Sequence, residues 1–130
     1  MEHIKITDLS IGDWVMYDLQ PYMIVSIDGE SHHVIISGSD GWRDKHIDYI
    51  EPIHLTRRIL EFNDIPSNEI DDDPLYIIFD IDGLSSCLEY KNSEYVFSVD
   101  GGYIELLKIK YVHQLQHVLR LAGIDKEITL

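Results

Sequence analysis

Apolar and polar positions alternate in short stretches over the first part of the chain. Trp14-Val15-Met16-Tyr17 predicts a first strand, introduced by Ile11-Gly12-Asp13. A turn over residues 18–21 separates it from a second strand over 22–27. Asp28-Gly29 is a hairpin signal, and His33-Val34-Ile35-Ile36 follows as a third strand. The turn formers Ser37-Gly38-Ser39-Asp40-Gly41 place Trp42 in a loop and precede a fourth strand over 43–47. Asp48-Tyr49-Ile50 reads as one helical turn before a last short strand over 51–55.

The pattern then changes. Thr56 is a suitable N-cap for a short helix with Ile59, Leu60 and Phe62 on one side. A polar connection with Pro66 and Asp71-Asp72-Asp73-Pro74 leads to a second β section. There Leu75, Ile77, Phe79 and Ile81 alternate with Tyr76, Ile78 and Asp80, and segments 86–90, 95–99 and 103–106 continue a meander. Lys91-Asn92-Ser93 and Asp100-Gly101-Gly102 are its turns. A closing helix is expected over about 110–122. Val112, Leu115, Leu119 and Ala122 form its apolar face, joined by Tyr111 and Val118. His113, Gln116, His117 and Arg120 fall opposite, towards solvent, and Gly123 sits at a left-handed C-terminal cap. The predicted class is α+β: an N-terminal SH3-like barrel or curved sheet, a short helix, an antiparallel meander and a C-terminal helix. The boundary falls between 1–56 and 57–130, the two parts packing as one compact unit.

Charge narrows the partners. Lys plus Arg number 10 and Asp plus Glu number 24, a net charge of -14. Residues 61–105 hold 12 acidic residues against one basic residue, Lys91. Nucleic acid is excluded as a partner because binding to phosphates rests on Lys and Arg displacing counterions. Anionic membrane surfaces are disfavoured for the same reason. Hydrophobic content of 45% is that of an ordinary folded domain. No run of 18 apolar residues predicts a membrane span, and Met1-Glu2-His3-Ile4-Lys5 lacks the order of a signal peptide. Cys87 has no partner for an internal disulfide and no basic neighbour within three positions. It reads as a small buried hydrophobe in a reducing compartment, and the expected location is the cytoplasm.

Several residue groups invite chemical readings. His113 and His117 are spaced i, i+4, as in helical metal sites, but no Glu intervenes and Arg120 follows one turn on. The solvent-facing reading carries more weight, with His113 alternatively bonding a backbone group. His32-His33, His46 and His54 gather only if the tertiary fold brings them together. Asp71-Asp72-Asp73 lacks the spacing of a calcium loop. Trp42, between Gly41 and Arg43, is the aromatic best placed for an exposed contact, whereas Trp14 reads as core.

Phe79-Asp80-Ile81-Asp82-Gly83 resembles the Asp-x-Asp-Gly signature of the haloacid dehalogenase superfamily, in which the first Asp attacks a phosphate. That resemblance would imply a doubly wound domain, yet only 47 residues follow Gly83. Asp80 is instead expected to face solvent, with Asp82-Gly83 as a turn. A broader resemblance rests on Gly12-Asp13-Trp14-Val15, on Ile50-Glu51-Pro52-Ile53-His54-Leu55-Thr56 and on Tyr111-Val112-His113-Gln114-Leu115-Gln116-His117. Together these strings resemble small uncharacterised proteins of Bacteroidales, related bacteria and their phages. The resemblance implies a cytoplasmic protein from a mobile element and brings no activity or cofactor with it. The expected function is a non-enzymatic, acidic interaction module for a protein partner of basic character, with Trp42, Asp71, Asp72 and Asp73 as its contact residues. No catalytic residue, metal or cofactor is assigned, and a homo-oligomer is left open. The alternative is a small-ligand-binding or metal-dependent hydrolytic domain using the histidines or Asp80 and Asp82. The discriminating observation is convergence of polar groups on one pocket.

Overall fold

The computed structural model describes residues 2–65, 67–68, 75–81, 84–91, 94–99, 104–124 and 126–130. Its class is α+β, with two antiparallel sheets. The chain divides into two units. The first comprises Met1–His54, Tyr111–His117 and Leu130, and the second Leu55–Lys110 and Val118–Thr129.

In the first unit, β1 (Trp14–Tyr17), β2 (Gln20–Asp28), β3 (His33–Gly38) and β4 (Gly41–His46) form a sheet in chain order. Alternation sets its buried face. Val15 pairs with Tyr22 and Ile24 with Ile36, and all four are buried. A bulge between Ile24 and Ser26 shifts the register, so that Ile27 meets Val34. Ile4, Ile6 and Leu9, around the 3₁₀ turn Ile6–Asp8, complete the core together with Ile47 and Ile50. The β1–β2 hairpin turns on Asp18 and Leu19, with φ of 50° and 62°. Two left-handed residues give the twist a tight hairpin needs, although Asn-Gly is the usual sequence for it.

Two details depart from the sequence reading. β4 begins at Gly41, so Trp42 is a strand residue opposite Ser37 and not part of a loop. The expected last strand over 51–55 is reduced to two isolated bridges. Met16 and Glu51 exchange backbone hydrogen bonds of 2.8 and 2.9 Å, and His54 pairs with Tyr111. Pro52, which has no N–H to donate, follows Glu51 and interrupts the ladder. No closed barrel forms among the described residues. The 3₁₀ turn itself is present at Ile47–Tyr49, capped by His46, whose Nδ1 accepts the Asp48 N–H at 3.1 Å.

The second unit opens with α1 (Arg57–Phe62), capped by the Thr56 hydroxyl, which accepts the Ile59 N–H at 3.3 Å. Leu60 is its buried residue, whereas Phe62 is exposed. The sheet then runs β5 (Ser67–Asn68), β6 (Leu75–Ile81), β7 (Leu84–Lys91), β8 (Glu94–Val99) and β9 (Ile104–Ile109), again in chain order. Four consecutive residues of β8, Tyr95 to Ser98, are buried. Cys87 is buried and unpaired, and its sulfur accepts the hydroxyl of its cross-strand neighbour Ser98 at 3.7 Å. Asn63 ends α1 and pins the C-terminal segment at Thr129. Its Nδ2 donates to Ile59 O at 2.8 Å and Thr129 O at 2.9 Å, and its Oδ1 accepts the Thr129 N–H at 2.7 Å.

The closing helix, α2 (Val112–Leu121), belongs to the first unit up to His117 and to the second from Val118. It ends as the sequence predicts. Gly123 has φ 71°, its N–H reaches Arg120 O, and the Ile124 N–H returns to Leu119 O at 2.9 Å.

Two substitutions test this packing. A Cβ on Gly38 would stand 2.5 Å from Cδ1 of the buried Tyr22 ring, so Gly38→Ala is expected to cost about 1–3 kcal/mol in a denaturant melt. Unchanged stability would show that the ring yields. Asn63→Ala removes a buried amide that holds both the N–H and the carbonyl of Thr129, and about 1–3 kcal/mol of destabilisation is expected by the same measurement.

Candidate functional site

The site begins with a turn. Ser10 O accepts the Asp13 N–H at 3.1 Å, and Gly12 between them has φ 93°, a conformation that favours glycine. Gly12 and Asp13 then pair with Ile24 through bonds of 2.8 and 2.9 Å. This fixes the Asp13 side chain on the buried side, at 0% exposure. A carboxylate that deep needs donors. Its Oδ2 accepts the Ser10 N–H at 2.7 Å and lies 2.6 Å from His117 Nε2.

The neighbouring residue of α2 completes the attachment. Gln116 Oε1 accepts the Trp14 N–H at 2.8 Å, and its Nε2 donates to Gly12 O at 2.9 Å. One side-chain amide thereby satisfies a donor and an acceptor at the start of β1, as a paired strand would. Val112 N–H donates to Ile53 O at 2.8 Å and adds a further tie. The three strings that carried the resemblance therefore meet in the first unit, through Gly12–Trp14, Ile53–His54 and Tyr111–His117.

These contacts overturn the solvent-facing reading for His113, Gln116 and His117, whereas Arg120 is exposed as expected. His113 is 4% exposed, Gln116 is buried, and the His117 side chain is 28% exposed and bonded to Asp13. Helical periodicity correctly grouped the buried Val112, Leu115, Val118 and Leu119, although Ala122 at the end of that face is exposed. Periodicity could not show that buried polar partners were waiting for the polar positions. The nearest signal in the sequence was the Asp13 carboxylate beside Gly12, in a string otherwise typical of a buried strand.

The rings form a ladder. His54 meets the Tyr111 ring edge-on at 5.3 Å, Tyr111 stacks on His113 at 5.7 Å and 10°, and His113 meets His117 edge-on at 5.7 Å. Its ends carry carboxylates, Glu2 at 2.8 Å from His54 Nε2 and Asp13 at His117. Alongside lies an open cleft of about 490 Å³. One wall is the N-terminal segment, with His3, Ile4, Thr7, Asp8 and Ser10, and the other is Tyr111, His113, Gln114 and His117. The Nδ1 of His113 is buried and has no hydrogen-bond partner. Burial pushes the His113 imidazole below its ordinary value, against the opposing pull of the Asp13 carboxylate, while His117 adds to the lowering and Asp8 opposes it.

The remaining histidines gather elsewhere in the first unit. His33 and His46, cross-strand partners, meet edge-on at 5.3 Å, and His32 lies 6.3 Å from His46. A second hollow of about 340 Å³ beside them is lined by Asp28, His33 and Asp44, among others. Its carboxylates and its imidazole are already paired. His33 Nδ1 lies 2.9 Å from Asp44 Oδ1, and hydrogen bonds from Ser31, hydroxyl first, hold the Asp28 carboxyl below its usual range. Among the described residues no three His, Cys, Asp or Glu side chains are placed to share a metal ion.

Of the contact residues expected from sequence, Trp42 joins neither group. Trp42 is 71% exposed on β4. Near it Asp40 accepts from the Tyr22 hydroxyl and from Arg43, each at 2.9 Å, and the Arg43 bond chiefly lowers the Asp40 carboxyl. Asp71, Asp72, Asp73 and Asp82 lie outside the described residues. Asp80 falls in β6 opposite Ser85.

Burial of a neutral His113 makes a pH prediction. Its folded value lies below the ordinary 6.5, so the unfolded chain binds this proton more readily. Stability is full above about 6.5 and falls as pH drops through that value towards the folded one. Denaturant melts across this range should show a steeper loss for the wild type than for His113→Leu. Equal slopes would contradict it. Set against known proteins, the chain matches no family model, no curated protein and no solved structure.

Proposed function

We propose that the protein is a binding module without catalytic activity, whose ligand is a small polar group received in the cleft between the N-terminal segment and the start of α2. The observation that carries this reading is His113, a residue lining an open cleft whose buried Nδ1 has no hydrogen-bond partner. Leaving such an atom unsatisfied costs about 1–3 kcal/mol. A ligand that supplies the missing hydrogen bond recovers that cost on binding. The Asp13–His117 pair fits a positioning role, because Asp13 also holds the Ser10 turn and orients the imidazole beside His113.

A second reading is favoured by Trp42. It is a large exposed aromatic on β4, which pairs only with β3 among the described residues. Aromatic anchors of this kind carry much of the energy of protein interfaces. With a net charge of -14, a partner docking there would be a basic protein. We further propose that the first unit is a variant of the SH3-like barrel, supported by the 3₁₀ turn Ile47–Tyr49 and the return of Glu51 to β1. A cytoplasmic location and a mobile-element origin complete the proposal. The first is supported by the lone buried thiol and the second by the three resembling strings. Among the described residues no helix is long and apolar enough to cross a membrane.

The test is thermal melting against panels of small amines, carboxylates, phosphates and sugars. A ligand that binds only the folded state raises the melting temperature by mass action. One class should raise it for the wild type and not for His113→Leu, and the compound should be recovered unchanged. No response from any class, or an equal response from the variant, rejects the cleft. Turnover of the compound rejects the non-catalytic assignment.

A further inference from the structure

The cleft also indicates the chemistry of its ligand; this step rests on the reading of the cleft as a binding site. His113 is flanked by Tyr111, just ahead of α2, and by His117 on α2, and three further groups come from the N-terminal part of the chain. These are His3 and Asp8 of the N-terminal segment and Asp13 ahead of β1. The two carboxylates are the formal charges in this set when the imidazoles are neutral. Both act electrostatically on His113. An anion entering here would meet two like charges close by and the field of a chain with a net charge of -14. A neutral imidazole with a proton on Nε2 offers a lone pair at Nδ1, which calls for a donor. Aromatic rings along one wall favour a cation as well.

We propose that the cleft binds an organic cation, the ammonium group of a free amine or of a lysine side chain, with His113 Nδ1 accepting one N–H bond and Asp8 supplying the opposing charge. Burial keeps His113 uncharged at neutral pH, which preserves the acceptor. Protonation of His113 on acidification removes the lone pair and adds repulsion, so binding weakens as pH falls towards the lowered value of the buried imidazole.

The experiment is a titration of the full chain followed by nitrogen NMR of the imidazoles. The probes are butylammonium, acetyl-lysine amide, inorganic phosphate and acetate. The expected result is a shift of His113 Nδ1 with butylammonium or acetyl-lysine amide that is lost on acidification. The tighter of these two probes identifies the source as a free amine or a partner's lysine. Removing the acceptor by His113→Leu should weaken binding roughly tenfold or more. Should that buried variant fail to fold, Asp8→Asn at an exposed position should weaken it about threefold to fivefold. A shift with phosphate or acetate and none with the amines overturns the cation and leaves the cleft standing as a binding site. No shift with any probe overturns both. Unchanged amine affinity in Asp8→Asn also overturns the proposal.

Discussion

A carboxylate removed from water has to be given hydrogen-bond donors, and at Asp13 that requirement organises the first unit. One donor is local, the Ser10 N–H of the same turn. The other is His117, 104 positions along the chain. A bond of that span closes a long loop and cannot form until the chain between its ends is accommodated. Gln116 repeats the arrangement beside it, bonding both Gly12 and Trp14. The start of β1 is thereby completed by side chains of α2 where a neighbouring strand would otherwise be required.

The same arrangement creates the site. Fixing His117 on Asp13 turns one side of α2 towards the N-terminal segment, and His113, one turn earlier, goes with it. Its neighbours satisfy neither the imidazole Nδ1 nor the cleft that it lines. The contrast with the second hollow is informative. There Asp28 is held by Ser31 and Glu30, and His33 by Asp44, so the carboxylates and the imidazole already have partners. Histidines cluster in both places, and it is the unsatisfied atom that separates a candidate site from a solvated surface.

The second unit shows how much of a fold can rest on local rules. Its helix is started by Thr56, its sheet is a meander in chain order, and α2 ends on Gly123 in a left-handed cap. Asn63 is the exception, since it joins the end of α1 to Thr129 across 66 positions. Its four-atom side chain serves both the backbone donor and the backbone acceptor of one residue, a match that composition does not advertise.

What the sequence determined by itself was the set of elements whose signals are local. The β1 strand, the hairpin at Asp28-Gly29, the cap at Thr56, the alternation from Leu75 to Ile81 and the glycine after α2 each depend on neighbours within a few residues. The α+β class follows from them. Local signals also failed in specific places. Pro52 cut short a strand that apolar content alone had suggested, and β4 begins at Gly41, so that Trp42 lies in a strand where turn formers had suggested a loop. The site was decided by tertiary structure. His113, Gln116 and His117 look solvent-facing on a helical wheel because the wheel records polarity and not partners. Polar side chains are buried where hydrogen bonds replace water, and Gly12, Asp13 and Trp14 become partners only once the two ends of the chain meet.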